Sequence, residues 1–183
     1  MKDFRKNKVI TIPNILSLFR IGLIPVIAWL YLKGENYWAV GVLILSGVTD
    51  VIDGYIARHF NMTSDVGKIL DPIADKLTQA VILYCLIFKF PFMMIPFILL
   101  VIKEVFLGII GLFAVRKTKE VKSANWHGKI TTLLLYSTMG LHIIWPDITG
   151  YLSNLTIGAC LVFMILSFVL YSLRHIRQLR GAK

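Results

Sequence analysis

The sequence predicts an all-α integral membrane protein of six transmembrane helices, on three grounds. Apolar residues make up 57% of the 183 positions, above the roughly 45–50% that soluble domains reach even with glycine counted. They gather in six stretches, at 15–32, 37–57, 69–88, 92–115, 128–146 and 150–173, and each approaches the roughly 20 residues that a helix needs to cross a bilayer. Lys and Arg fall heavily on one side of these stretches, which is the pattern that sets membrane orientation.

Residues 1–13 read as an N-terminal interfacial segment, with Phe4, Val9 and Ile10 among lysines, before Pro13 opens the first span. No small-residue cleavage site follows, so the first span is expected to stay. The spans part at Lys33-Gly34-Glu35-Asn36, at the polar run 58–68, at Lys89-Phe90-Pro91, at 116–125, and at Pro146-Asp147 before Gly150. Pro25 and Pro96 fall inside spans, where proline kinks a helix. The phenylalanines and methionines of 90–97 read as lipid-facing bulk. Cys85 and Cys160 lie inside apolar stretches, as buried small hydrophobes and not as a disulfide or metal pair. So little chain lies outside the spans that residues 1–183 read as a single membrane domain. Function then sits in the helices and their mouths.

One side collects Lys2, Arg5, Lys6, Lys8, Arg58, Lys68, Arg116, Lys117, Lys119, Lys122, Lys129, Arg174, Arg177, Arg180 and Lys183; the other has Lys33 and Lys89. Both termini are therefore expected in the cytoplasm. The net charge of +10 is spread over juxtamembrane connections, which argues for anionic lipid headgroups and topology and against nucleic acid.

Asp50, Asp53, Asp71 and Asp75 stand at the ends of two adjacent spans, where an isolated charge is costly. Asp50 and Asp53 are three apart, and Asp71 and Asp75 four apart, so each pair projects from one helical face. Two antiparallel helices joined by a short cytoplasmic loop bring those faces together. Carboxylates around one cavity invite divalent cations, and oxygen-only ligands suit Mg2+, Mn2+ or Ca2+ better than zinc. Such a site clamps phosphate oxygens, and a diphosphate donor fits it. Gly54 and Ala57 permit close approach of a flat ligand, Arg58 offers a planar fork to phosphate, and Gly67 gives freedom at the start of the next helix.

Written out, residues 50–75 contain Asp50-x2-Asp53-Gly54-x2-Ala57-Arg58-x8-Gly67-x3-Asp71-x3-Asp75, which resembles the signature of the CDP-alcohol phosphotransferase family. Eight fixed residues match, and chance would supply them on the order of 10⁻¹⁰ per starting position at ordinary residue usage. The resemblance implies two divalent cations, Mg2+ or Mn2+, held by Asp50, Asp53, Asp71 and Asp75 under the diphosphate of a CDP-linked lipid. It makes Asp75 the general base as well, and it places Gly54, Ala57, Arg58 and Gly67 against the nucleotide and its phosphates. It also implies a homodimer.

The opening Ile12-Pro13-Asn14-Ile15-Leu16-Ser17-Leu18-Phe19-Arg20 is similar to the first span of bacterial phosphatidylglycerophosphate synthases and of CDP-diacylglycerol-dependent cardiolipin synthases, as is Ser123 to Thr132. That resemblance implies a CDP-diacylglycerol donor, and the Lys and Arg asymmetry leads us to expect the active site on the cytoplasmic face of a bacterial inner membrane. Asn14 and Ser17 share a helical face that offers hydrogen bonds to the nucleotide, with Arg20 a turn deeper. Lys103-Glu104-Val105 matches neither the Arg-Glu-Phe of the first subfamily nor the Arg-Asp-Val of the second, and lysine lacks arginine's bidentate fork. The cations Lys103, Arg116, Lys129 and Arg174 favour a phosphate-bearing acceptor, glycerol-3-phosphate, over phosphatidylglycerol. An intramembrane ion pair is the other reading of Lys103 and Glu104. His59 and His127 read as interfacial polar groups and His142 as a helix-packing contact. A cation transporter with intramembrane aspartates is the reading from a different class, but the charges lie toward one face and the chain shows no repeated halves.

Overall fold

The computed structural model describes residues 11–60, 66–118 and 126–181, with the side chains of Arg58, Lys68, Ile69, 110–118, 126–127 and 174–181 outside that description. Among the described residues there are six long α-helices, one short 3₁₀ turn and no strand. They fall into two units, residues 1–85 and 86–183.

In the first unit, α1 (Ile12–Leu32) starts where Thr11, in extended conformation, turns its hydroxyl to accept the Asn14 amide at 3.4 Å. Pro13 falls in the first turn, where no amide donor is missed. The helix runs on through Pro25. It stops at Gly34, whose φ of +83° suits only a residue without a Cβ. Gly34 N–H reaches the Tyr31 carbonyl and Glu35 N–H the Leu30 carbonyl, each at 2.9 Å, the paired bonds of a Schellman stop. The reversal is so short that α2 (Asn36–His59) returns directly along α1. After residues 61–65, which lie outside the description, α3 (Gly67–Ile87) begins. Pro72 lies inside α3, where its ring withholds the amide that would bond the Lys68 carbonyl.

The buried stripe of each helix changes character along its length. In α1 it reads Asn14, Ser17, Arg20, then Ile24 and Ile27; in α2, Ala39, Val40 and Leu43, then Ser46, Thr49 and Asp53; in α3, Ala74, Thr78 and Gln79, then Ile82 and Leu83. The positions recur every three or four residues, so each set shares one face. Polar ends at the start of α1, the end of α2 and the start of α3 are what an up-down-up order gathers at one level.

In the second unit, the turn Pro91–Met93 leads into α4 (Met94–Thr118), followed by α5 (Trp126–Ile144) and α6 (Gly150–Gly181). α6 packs against both α4 and α5. Leu100, Leu135, Met139, Ile143, Ile157, Cys160 and Met164 form its core. Both cysteines are free and buried, as the sequence suggested. Pro96 falls in the first turn of α4 and not deep in a span, so it removes no helical bond. The lipid-facing reading of 90–97 needs correction at two places: Met93 is fully buried, and Phe90 stands edge-on to the His142 ring at 4.7 Å. Its neighbours Phe92, Met94 and Ile95 are exposed.

Among the described residues, four helices are long and apolar enough to cross a membrane: Ile12–Leu32, Asn36–Ala57, Pro91–Ile109 and Gly150–Leu173. Length does not separate the other two, since α3 has 21 residues and α5 has 19. Composition does: α3 carries Asp71, Asp75 and Lys76, and α5 carries Lys129, His142 and several threonines.

Candidate active site

The carboxylates meet on a guanidinium. Arg20, from α1, is 1% exposed. Its Nη2 donates to Asp53 Oδ2 at 2.5 Å and its Nη1 to Asp71 Oδ1 at 3.2 Å, while Nη1 also pairs with Asp50 Oδ1. Helical spacing explains the convergence. Asp50 and Asp53 lie one turn apart on α2, and Asp71 is the fifth residue of α3. One oxygen from each of Asp50, Asp53 and Asp71 lies within 4.8 Å of the others.

That spread decides what the cluster can hold. Oxygens bound to one divalent cation at about 2.1–2.5 Å stand about 3–5 Å apart, so the three fit a shared hard cation without rearrangement of the helices. With one guanidinium among three carboxylates, two negative charges remain uncompensated, which suits a dication. Asp53 is buried at 3% side-chain exposure, whereas Asp50 and Asp71 are 44% and 45% exposed. The cluster therefore has a sealed floor of Arg20 and Asp53 and a rim from which a ligand can enter.

Asp75 stands outside this trio. The Gln79 side-chain amide, one turn further along α3, donates to both of its oxygens at 3.1 and 3.2 Å, and Lys76 Nζ lies 3.4 Å away. Gln79 is buried at 1% exposure, so it fixes the plane of the Asp75 carboxylate from below. Ser17 and Asn14 lie one and two turns before Arg20 on the same buried face of α1, and the Ser17 hydroxyl donates to the Pro13 carbonyl at 3.1 Å. Gly54 and Ala57 continue the Asp50–Asp53 end of α2, and Gly67 opens α3; all three are partly exposed. The side chain of Arg58 lies outside the described residues.

The proposed acceptor residues belong to the second unit. Lys103 is buried at 6% and pairs with its neighbour Glu104 at 3.6 Å, and Lys129 is exposed on the first turn of α5. The side chains of Arg116 and Arg174 lie outside the described residues. His142 is a packing contact as expected. Its Nδ1 meets the Thr138 carbonyl at 2.8 Å and its Nε2 the Ser153 hydroxyl at 3.0 Å. A carbonyl only accepts, so Nδ1 carries the proton, and in the neutral ring Nε2 accepts from Ser153. His59 stacks on Tyr55 at 5.3 Å, and the side chain of His127 lies outside the described residues.

Sequence reasoning placed Arg20 near a nucleotide and missed its carboxylate partners, and it passed over Gln79. A signal for the first was present: Arg20 is the single charged residue between Lys8 and Lys33, and a lone cation inside a span requires an intramembrane counter-charge.

Comparison with known proteins agrees with this geometry. The profile of the CDP-alcohol phosphatidyltransferase family matches residues 10–172. A cardiolipin synthase (CMP-forming) of Streptomyces coelicolor is 34% identical over 81% of this chain and 72% of its own length. A CDP-diacylglycerol–glycerol-3-phosphate 3-phosphatidyltransferase of Aquifex aeolicus is 32% identical over 92% of this chain and 97% of its own. The cardiolipin synthase (CMP-forming) of rat is 41% identical over 58% of this chain, a match that spans 35% of that longer protein. An enzyme family, and not an ion carrier, thus accounts for the intramembrane aspartates: the chain belongs to the CDP-alcohol phosphatidyltransferase family, the membrane transferases of phospholipid synthesis.

Proposed function

We propose that the chain transfers a phosphatidyl group from CDP-diacylglycerol to an acceptor hydroxyl, with glycerol-3-phosphate as the acceptor and CMP as the leaving group. The convergence of Asp50, Asp53 and Asp71 carries this reading, because so dense a carboxylate cluster has its use in gripping a diphosphate through divalent cations. Mg2+ or Mn2+ bound by these three and by Asp75 supplies charge neutralisation at the phosphate oxygens. Asp75, its carboxylate plane set by Gln79, takes the proton of the acceptor hydroxyl. The acceptor oxygen then bonds to the β-phosphorus, the bond from that phosphorus to the bridging oxygen breaks, and CMP departs with the electron pair. Asn14, Ser17, Gly54, Ala57, Arg58 and Gly67 seat the nucleotide, with the two glycines and the alanine allowing it close to the backbone.

In this reading all six helices span the membrane as one domain, 1–183, both termini and the site face the cytoplasm of a bacterial cell, and two copies associate. The positive bias of residues 58–68, 116–129 and the termini supports the orientation.

Glycerol-3-phosphate is favoured by Lys103, Arg116, Lys129 and Arg174, and by a relative named for that acceptor that aligns along nearly its whole length. Phosphatidylglycerol is the second reading, favoured by the cardiolipin synthases among the relatives and by the Lys103–Glu104 pairing, which spends part of the lysine's charge. Purified protein with Mn2+ and CDP-diacylglycerol, offered glycerol-3-phosphate, phosphatidylglycerol, serine or inositol phosphate in turn, should make a lipid of phosphatidylglycerophosphate mass. A cardiolipin product from phosphatidylglycerol would replace the acceptor assignment.

A further inference from the structure

Three carboxylates whose oxygens lie within 4.8 Å of one another repel, and a cation among them relieves that repulsion. The cation on hand belongs to the chain itself. Arg20 reaches Asp50 and Asp71 with one terminal nitrogen and Asp53 with the other, so a single side chain of α1 ties α2 to α3. Its Nε, also buried, meets no hydrogen-bond partner among the described residues; the fork is therefore held by the carboxylates, and an N–H is left over. An orphaned donor is a cost that a purely structural ion pair avoids. Buried ion pairs of this type also add little net stability compared with apolar packing, which leaves the energetics of folding a poor reason for placing arginine here.

We infer that Arg20 is a positioning residue that serves as the resident counter-charge of the carboxylate cluster. It holds Asp50, Asp53 and Asp71 at ligand spacing before a cation arrives, and it competes with the incoming cation for the same oxygens. The inference rests on the proposed metal-dependent transfer, and it goes further in naming a residue that tunes how tightly the cluster binds its cations. Each carboxylate shares one oxygen with the guanidinium, so a dication must draw those oxygens away from a positive charge or sit beside it. Either way the intrinsic affinity falls.

The test uses the full-length protein in detergent, stripped of divalent ions, as wild type, Arg20→Gln and Arg20→Lys. Free Mn2+ is followed by its paramagnetic resonance signal, and unfolding by a thermal melt in chelator. Arg20→Gln should melt lower without metal, yet bind Mn2+ about tenfold tighter once the competing charge is gone. Arg20→Lys keeps a charge but cannot fork to three carboxylates, and its affinity should fall between the two; it carries the test if the glutamine variant does not fold. Mn2+ affinity that is unchanged or weaker in the folded variants overturns the inference. Wild type that binds Mn2+ but releases no CMP from CDP-diacylglycerol overturns the transferase reading alone, because the comparison of affinities still decides the role of Arg20.

Discussion

In the first unit the buried polar groups include charges that meet across helices, Arg20 with Asp50, Asp53 and Asp71. In the second they are mostly neutral, and some of the polar side chains answer to their own helix. Thr132 bonds the Gly128 carbonyl, Thr138 that of Leu134 and Ser172 that of Phe168, each one turn back. His142 and Thr131 reach across, to Ser153 and to the Phe163 carbonyl, and the buried charge Lys103 is paired with its chain neighbour. A hydroxyl bonded one turn back fulfils its own demand and constrains nothing else. A guanidinium shared by three carboxylates from two other helices places those helices. Apart from Ser167, whose buried hydroxyl meets no partner among the described residues, the neutral polar groups of the second unit thus read as packing contacts, and the charges of the first as a site assembled at the expense of packing.

The comparison breaks first at Asp75. Asp75→Asn keeps the shape of the side chain and one acceptor oxygen for Gln79 but removes the base, so CMP release should drop roughly 10²–10⁴-fold while CDP still binds in equilibrium dialysis. Undiminished release would take the base role away from Asp75. Next comes Asp53→Ala, which leaves Arg20 buried beside the two partly exposed carboxylates. Loss of such a buried partner costs up to roughly 3–5 kcal/mol, and thermal unfolding in detergent with and without Mn2+ should show the variant destabilised and no longer rescued by the ion. His142→Ala should cost about 1–3 kcal/mol, because Ser153 loses its partner inside the core. Turnover per folded molecule should stay at the wild-type level in the same assay; a specific loss of turnover would move His142 out of the packing class. Smallest is Lys89→Ala. Its contact with Asp147 at 3.6 Å joins two exposed groups, and thermal unfolding should show a stability change of no more than ~1 kcal/mol.

The six helices were legible in the sequence because each apolar stretch is bounded by a strong signal. Gly34 ends the first with a positive φ, and Thr11 and Pro13 begin it. The aspartate spacing foretold the trio, since three- and four-residue steps put side chains on one helical face. What the sequence left open was which counter-charges the lone cation Arg20 would take. Nothing in the spacing of residues 50–75 says that a residue 30 positions earlier will fill their midst, because helix order constrains neighbours loosely and the register between helices is decided by packing. For the same reason the sequence assigned residues 90–97 to lipid, whereas the buried ring of His142 claims Phe90. The bonds of Asp75 were also hidden: the spacing joins it to Asp71, and nothing in the sequence announces that Gln79 donates to both of its oxygens.

The central claim is that the cluster of Asp50, Asp53 and Asp71 serves phosphatidyl transfer from CDP-diacylglycerol. Release of CMP from that donor by the purified chain, measured with Mn2+ or Mg2+ and again in excess chelator, tests it most directly. The account predicts CMP formation that needs both an acceptor alcohol and the divalent ion and that disappears on chelation. Absence of CMP with every acceptor, or release indifferent to chelation, would contradict it.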